Sequence, residues 1–167
     1  MKTSFLRNVV DLVTESINPS LYPDKKWKLF SLPGFDNGRQ VEYLLGNEIG
    51  SIKYIVPNRC ILFNKLNVRF RRIWKIDDAS PNKICSTEFL PFVVKDGVSP
   101  DFVYQAICSE AFTERLACVN TNTSGSHKRV DSDFILDSPI PLPDLPTQLQ
   151  IAGIIGNAIH RLPPCPP

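Results

Sequence analysis

The sequence predicts an α+β domain in which short strands are flanked by helices. Three observations predict it. The run Leu66-Asn67-Val68-Arg69-Phe70-Arg71 alternates apolar and polar residues, the period of a strand with one buried face. Brief β-type runs at 40–45, 53–56, 60–63, 66–76 and 88–94 are separated by Gly, Pro and Asn, as in a chain of short strands. Near the C-terminus, Ile151, Ile154, Ile155, Ala158, Ile159 and Leu162 fall on one face of a helix, at i, i+3, i+4, i+7, i+8 and i+11.

Taken in order, Phe5, Val9, Leu12, Val13 and Ile17 repeat at helical spacing, so residues 4–17 are expected to form an amphipathic helix. Asn18-Pro19-Ser20 stops it. Pro33-Gly34 and Asp36-Asn37-Gly38 are turn signals. In the alternating run, Leu66, Val68 and Phe70 face a core, while Asn67, Arg69 and Arg71 face outward; Arg72-Ile73-Trp74 breaks the pattern, as a bulge does. Ser99-Pro100 starts a helix, with Ser as cap and Pro at the first position. A second short helix begins near Ser109, and a polar loop runs from 120 to 129. Structure resumes at 131–135, and Pro139-Ile140-Pro141-Leu142-Pro143 is held extended by its prolines. Thr147 and Gln150 form a capping box for the last helix, and Pro163 ends it.

Composition bounds the function. The chain has 167 residues, 43% hydrophobic and 22% charged, which suits one globular domain. Its 5 cysteines include no C-x-x-C pair, so neither a zinc site nor a disulfide scaffold is expected; Cys60 and Cys108 read as small core residues. Arg7, Asn8 and Asp11 interrupt any signal-peptide core, and no apolar stretch is long enough to span a membrane, so the expected location is the cytoplasm.

The net charge of +2 is unevenly spread. Lys53, Arg59, Lys65, Arg69, Arg71, Arg72 and Lys75 lie in a segment without Asp or Glu. Removing those 7 from the 19 basic residues leaves 12 against 17 acidic, or −5 for the rest of the chain. A +7 segment on a −5 body is the footprint expected for a polyanion partner, the other reading being a solvated strand face whose charges meet acidic neighbours from elsewhere.

Catalytic patterns are missing. There is no Walker loop, H-E-x-x-H or G-x-S-x-G. The histidines are His127 and His160 alone, too few for most His-based triads, and His127 has no evident catalytic partner. Asn18-Pro19-Ser20-Leu21 departs from the adenine-methyltransferase signature at two positions and lacks a glycine-rich cofactor loop. Pro100-Asp101 and Asp77-Asp78 read as a helix start and a turn, not as metal ligands. No catalytic residue, metal or cofactor is expected.

Four segments carry a resemblance. Cys60-Ile61-Leu62-Phe63-Asn64-Lys65-Leu66-Asn67-Val68-Arg69 with Ile73-Trp74, then Cys85-Ser86-Thr87-Glu88-Phe89, then Thr123-Ser124-Gly125-Ser126-His127-Lys128-Arg129-Val130, and finally Ile140-Pro141-Leu142-Pro143-Asp144-Leu145 with Gln148 and Ile151 occur in that order. Together they resemble the motifs of type I restriction–modification specificity (S) subunits. Asp144 and Thr147 depart from the family's usual Pro and Glu.

The resemblance implies a DNA methylase specificity domain-like fold, with short twisted strands, partly β-helix-like, flanking helices and a C-terminal spacer helix. Residues 1–145 would be one target recognition domain, 146–162 the start of the spacer and 163–167 a Pro-rich tail. The implied task is sequence-specific reading of one half of a bipartite double-stranded DNA target. The implied partners are methyltransferase (modification) subunits, the restriction subunit through them, and a second recognition domain or a second copy of this chain through the spacer helix.

Read from the residues, the duplex would meet Lys65, Asn67, Arg69, Arg71 and Arg72 on the basic run, and Ser124, Gly125, Ser126, Lys128 and Arg129 on the polar loop. Lys and Arg to phosphate fix register; Arg to guanine and Asn to adenine read sequence. Ile151, Ile154, Ile155, Ala158, Ile159 and Leu162 would form the partner-helix interface. The other function class is an interaction module, a truncated specificity-subunit remnant that binds modification subunits without selective DNA binding.

Overall fold

β-Branched and aromatic runs set a layered arrangement. The computed structural model describes residues 2–119 and 128–161 and, of residues 119 and 159–161, the backbone alone. The chain begins with strands β1 (Thr3–Phe5), β2 (Val10–Leu12), β3 (Ser16–Ile17) and β4 (Lys26–Phe30). Helix α1 (Leu32–Asp36) leads into β5 (Glu42–Leu45), β6 (Lys53–Ile55), β7 (Arg59–Asn64) and β8 (Ile73–Asp77). Then come β9 (Lys83–Cys85), β10 (Phe89–Val94), α2 (Pro100–Cys108) and α3 (Glu110–Val119). The described chain closes with α4 (Ser132–Leu136), β11 (Pro139–Pro141) and α5 (Leu145–Arg161).

Three sheets form among the described residues. β1 pairs with β11; β2-β10-β7-β8 form a four-stranded antiparallel sheet; β3-β6-β9-β4-β5 form a five-stranded sheet in which β4 and β9 are parallel. The α+β class is the one the sequence predicts.

The four-stranded sheet is the middle layer, and the sequence of β7 shows why. Ile61 and Phe63 join Phe92, Val103, Ile107, Phe112 and Leu116 on the helical side. Cys60 and Leu62 join Phe30, Trp74, Cys85 and Phe89 against the five-stranded sheet. A strand buried on both faces reads as a continuous apolar run, here Cys60-Ile61-Leu62-Phe63. Each large apolar side chain so buried stabilises the fold by about 1.5–3 kcal/mol. Burial also raises the Cys60 thiol to about 12 and the Cys108 thiol to about 11, so both stay protonated and behave as small apolar groups.

The structure corrects four sequence expectations. Residues 4–17 are not a helix but β1, a short 3-10 turn, β2 and β3. The buried residues are Leu6, Val9 and Val10, whereas Phe5 is exposed. Val10–Leu12 finds partners on the edge of β10, at Val94 and Phe92, and β-branched residues favour that pairing over a weak helix. Asn18-Pro19-Ser20 therefore terminates no helix; it forms a 3-10 turn whose Asn18 side chain accepts from Ser20 N.

Residues 66–72 are not strand either. They form the loop between β7 and β8, closed by Asn64 N donating to Arg72 O at 3.1 Å. The third correction follows from it: Asn67, Arg69 and Arg71 do not share a strand face. The fourth concerns α5, which starts at Leu145. Asp144 Oδ1 accepts from Thr147 N at 3.2 Å, so Asp144 fills the capping role expected of Thr147. Ser99 does cap α2, accepting from Phe102 N.

Candidate nucleic-acid interface

Polar side chains fold the β7–β8 loop into shape. Asn64 is buried and brackets Leu66, accepting from its N at 2.9 Å and donating to its O at 2.7 Å. Asn67 then enters the left-handed region (φ 51°), Val68–Phe70 make a 3-10 turn, and Arg71 is left-handed again (φ 47°). Asn tolerates that region; for Arg it costs about 1–2 kcal/mol. Val68 anchors the loop in the core beside Phe112 and Leu116, leaving Arg69, Phe70 and Arg71 exposed.

Three of the resembling segments converge on the base of this loop. Lys65 N donates to Glu88 O at 3.0 Å, and Val130 N donates to Lys65 O at 2.9 Å. Leu66 and Arg129 form an antiparallel bridge, and Asn67 N donates to Lys128 O at 2.8 Å. Arg129 grips Glu88 through Nε at 2.9 and 3.0 Å and through Nη2 at 2.5 Å. That contact raises the Arg129 pKa further, so the guanidinium stays charged.

The predicted DNA-facing residues therefore divide. Arg129 is paired with Glu88. Arg72 donates bidentately to Asp36 at 2.7 and 2.8 Å, which holds the Asp36 carboxyl below its ordinary value. Asn67 Oδ1 accepts from Lys128 N at 3.3 Å. These residues brace the loops against each other. Among the described residues, Lys65, Arg69 and Lys128 hold no salt bridge, and Arg71 reaches only the exposed Glu110 at 3.3 Å. Arg69 and Arg71 line a shallow depression of about 470 Å³ against α3, with Thr113 and Cys118. Ser124, Gly125, Ser126 and His127 lie outside the described residues. No group of His, Cys, Asp and Glu suited to a metal occurs among the described residues, and no described helix is long and apolar enough to cross a membrane.

The carboxylates that hold two of these arginines leave no trace in the sequence pattern. Glu88 lies in the Cys85–Phe89 segment, but nothing local ties it to Arg129, 41 residues away. The alternation at 66–71 predicts a core position for Phe70, which is instead exposed.

The predicted partner stripe on α5 also divides. On this helix Gln148 and Ala152 are buried against α2: Ser99 N donates to Gln148 Oε1 at 2.9 Å, and Gln105 Nε2 donates to Ala152 O at 3.2 Å. Ile151 is half-buried and Ala158 exposed, while Ile154 and Ile155 are 62% and 38% exposed. Leu162 and the side chain of Ile159 lie outside the described residues.

This architecture has known counterparts. The crystal structure of the HsdS subunit from Thermoanaerobacter tengcongensis matches 96% of this chain with a TM-score of 0.81 at 20% identity. The chain has the fold of a type I restriction–modification S subunit. The match takes up 42% of the HsdS chain, so this chain spans under half of such a subunit's length. A structure described for complex assembly and conformational transition of the type I system matches with a TM-score of 0.79 at 19% identity, over 96% of this chain and 42% of that one. The S subunit from M. genitalium matches with 0.61 at 14%, over 96% and 39%. No protein-family model and no curated protein matches the sequence.

Proposed function

We propose that this chain reads one half of a bipartite duplex target for a type I restriction–modification system and directs methyltransferase and endonuclease subunits to it. The observation that carries this reading is the pair of exposed arginines in its setting. Arg69 and Arg71 project from a loop locked by Asn64, Asn67 and Arg129, in the fold of an S subunit. A rigid support for exposed cations suits phosphate positioning and base reading, both of which need fixed register. Lys65 and Lys128 lie at the base of the same loop. Ser124, Gly125 and Ser126, which precede Lys128 in the sequence, are candidate DNA contacts in this reading.

In this reading the chain brings specificity and no catalytic group, metal or cofactor, and it works in the cytoplasm, where its DNA is. The exposed Ile154, Ile155 and Ala158, with Ile159 and Leu162 next on the same stripe in the sequence, would dock modification subunits, a second recognition domain or a second copy of this chain. Residues 1–145 are the recognition domain and 146–162 the beginning of that spacer.

Duplex binding should weaken steeply as salt rises, because each neutralised phosphate releases counterions. Fluorescence anisotropy with a labelled duplex, at salt from about 50 to about 200 mM, measures the slope of log affinity against log salt. Arg69→Ala should reduce that slope by about 1 if Arg69 holds a phosphate. Salt-independent binding, or none, would sink the proposal.

A further inference from the structure

The β7–β8 loop exposes an aromatic side chain beside its arginines. Phe70 is 64% exposed at the tip of the β7–β8 loop. Val68 already anchors the loop, and Phe70 belongs to none of the core clusters. One side of its ring is covered: Arg72 Cζ sits 4.9 Å from the ring centroid, and Asp36 fixes that guanidinium in place. Exposed Arg69 and Arg71 flank Phe70 in sequence, and left-handed Asn67 and Arg71 bound the turn that lifts it.

An exposed aromatic ring packed on one arginine and adjoined in sequence by two exposed ones suits a ligand with anionic rails and flat apolar faces between them. Duplex DNA supplies both. We propose that Phe70 is a wedge that enters the base stack of the bound duplex while Arg69 and Arg71 hold the flanking phosphates. This inference rests on the duplex-binding reading above and adds a mode of specificity to it. Inserting a side chain unstacks one base step and kinks the helix, which is easiest at flexible pyrimidine–purine steps. Phe70 would then favour certain steps through their deformability, with no hydrogen bond to a base.

The test uses a duplex recovered by selection with the wild-type chain, carrying 2-aminopurine at each position in turn. Wild-type protein should raise the fluorescence at one step, the sign of local unstacking. Phe70→Ala should abolish the rise and weaken binding about tenfold, the order of a lost base–aromatic stack, with an unchanged melting midpoint because the side chain is exposed. Phe70→Trp should keep the rise. Wild-type binding without a rise at any position, or Phe70→Ala binding as tightly as wild type, would overturn the wedge and leave duplex recognition standing. Failure of the wild-type chain to bind duplex would overturn both.

Discussion

Lys83→Met is expected to destabilise the domain by about 2–4 kcal/mol, the cost of removing the charged donor that ties three loop acceptors together. Lys83 is 3% exposed. Its Nζ donates to Asn58 Oδ1 and Ser80 O, each at 2.8 Å, and to Asp78 O. Two of those acceptors are main-chain carbonyls, which no compensating mutation can remove. Methionine fills the same space but donates nothing. The damage would reach the candidate interface, because β9 runs directly into Ser86, Thr87 and Glu88, and Glu88 holds Arg129. Urea denaturation measures the effect; Lys26→Met, at an exposed position in β4, should stay within about 0.5 kcal/mol of wild type. A Lys83→Met protein as stable as wild type would show that the three acceptors do not depend on this ammonium.

Gly46→Ala should cost about 3 kcal/mol or more, at the upper end of overpacking effects. A Cβ at Gly46 would lie 2.1 Å from Tyr22 O and 2.4 Å from Pro19 O. Both are backbone atoms, so no side chain can swing aside; the turns at 19–21 and 46–48 must part. At Gly153, on the surface of α5, an added Cβ meets nothing within 4 Å. Gly153→Ala should therefore stabilise by about 0.5–1 kcal/mol through helix propensity. Thermal melts of the two variants should shift in opposite directions. A Gly46→Ala melt at the wild-type midpoint would contradict the close packing of the two turns.

Much of the fold is legible where burial and chain chemistry agree. The uninterrupted run at 60–63 reads as strand because β7 is buried on both faces. Ser99-Pro100 reads as a helix start because its cap is local. The N-terminal segment misleads because its apolar spacing fits a helix, while the pairing with β10 that decides it lies some 80 residues away in sequence, at Phe92–Val94. The run at 66–71 misleads because a 3-10 turn between two left-handed residues interrupts an alternation that fits a strand. The last helix shows the same limit at short range: both Asp144 and Thr147 can cap, and only the backbone path selects Asp144. At the candidate interface the cations are legible as a charge-biased run. Their partners are not, since Asp36 and Glu88 reach Arg72 and Arg129 across 36 and 41 residues.

Selection of bound duplexes from a random pool at near-physiological salt tests most directly whether this chain selects a DNA sequence. Enrichment of a short motif, relaxed at one position by Arg69→Ala, is the predicted result. Salt-sensitive retention of duplex with no enriched motif would contradict it, and the exposed face of α5 would then define what the chain does.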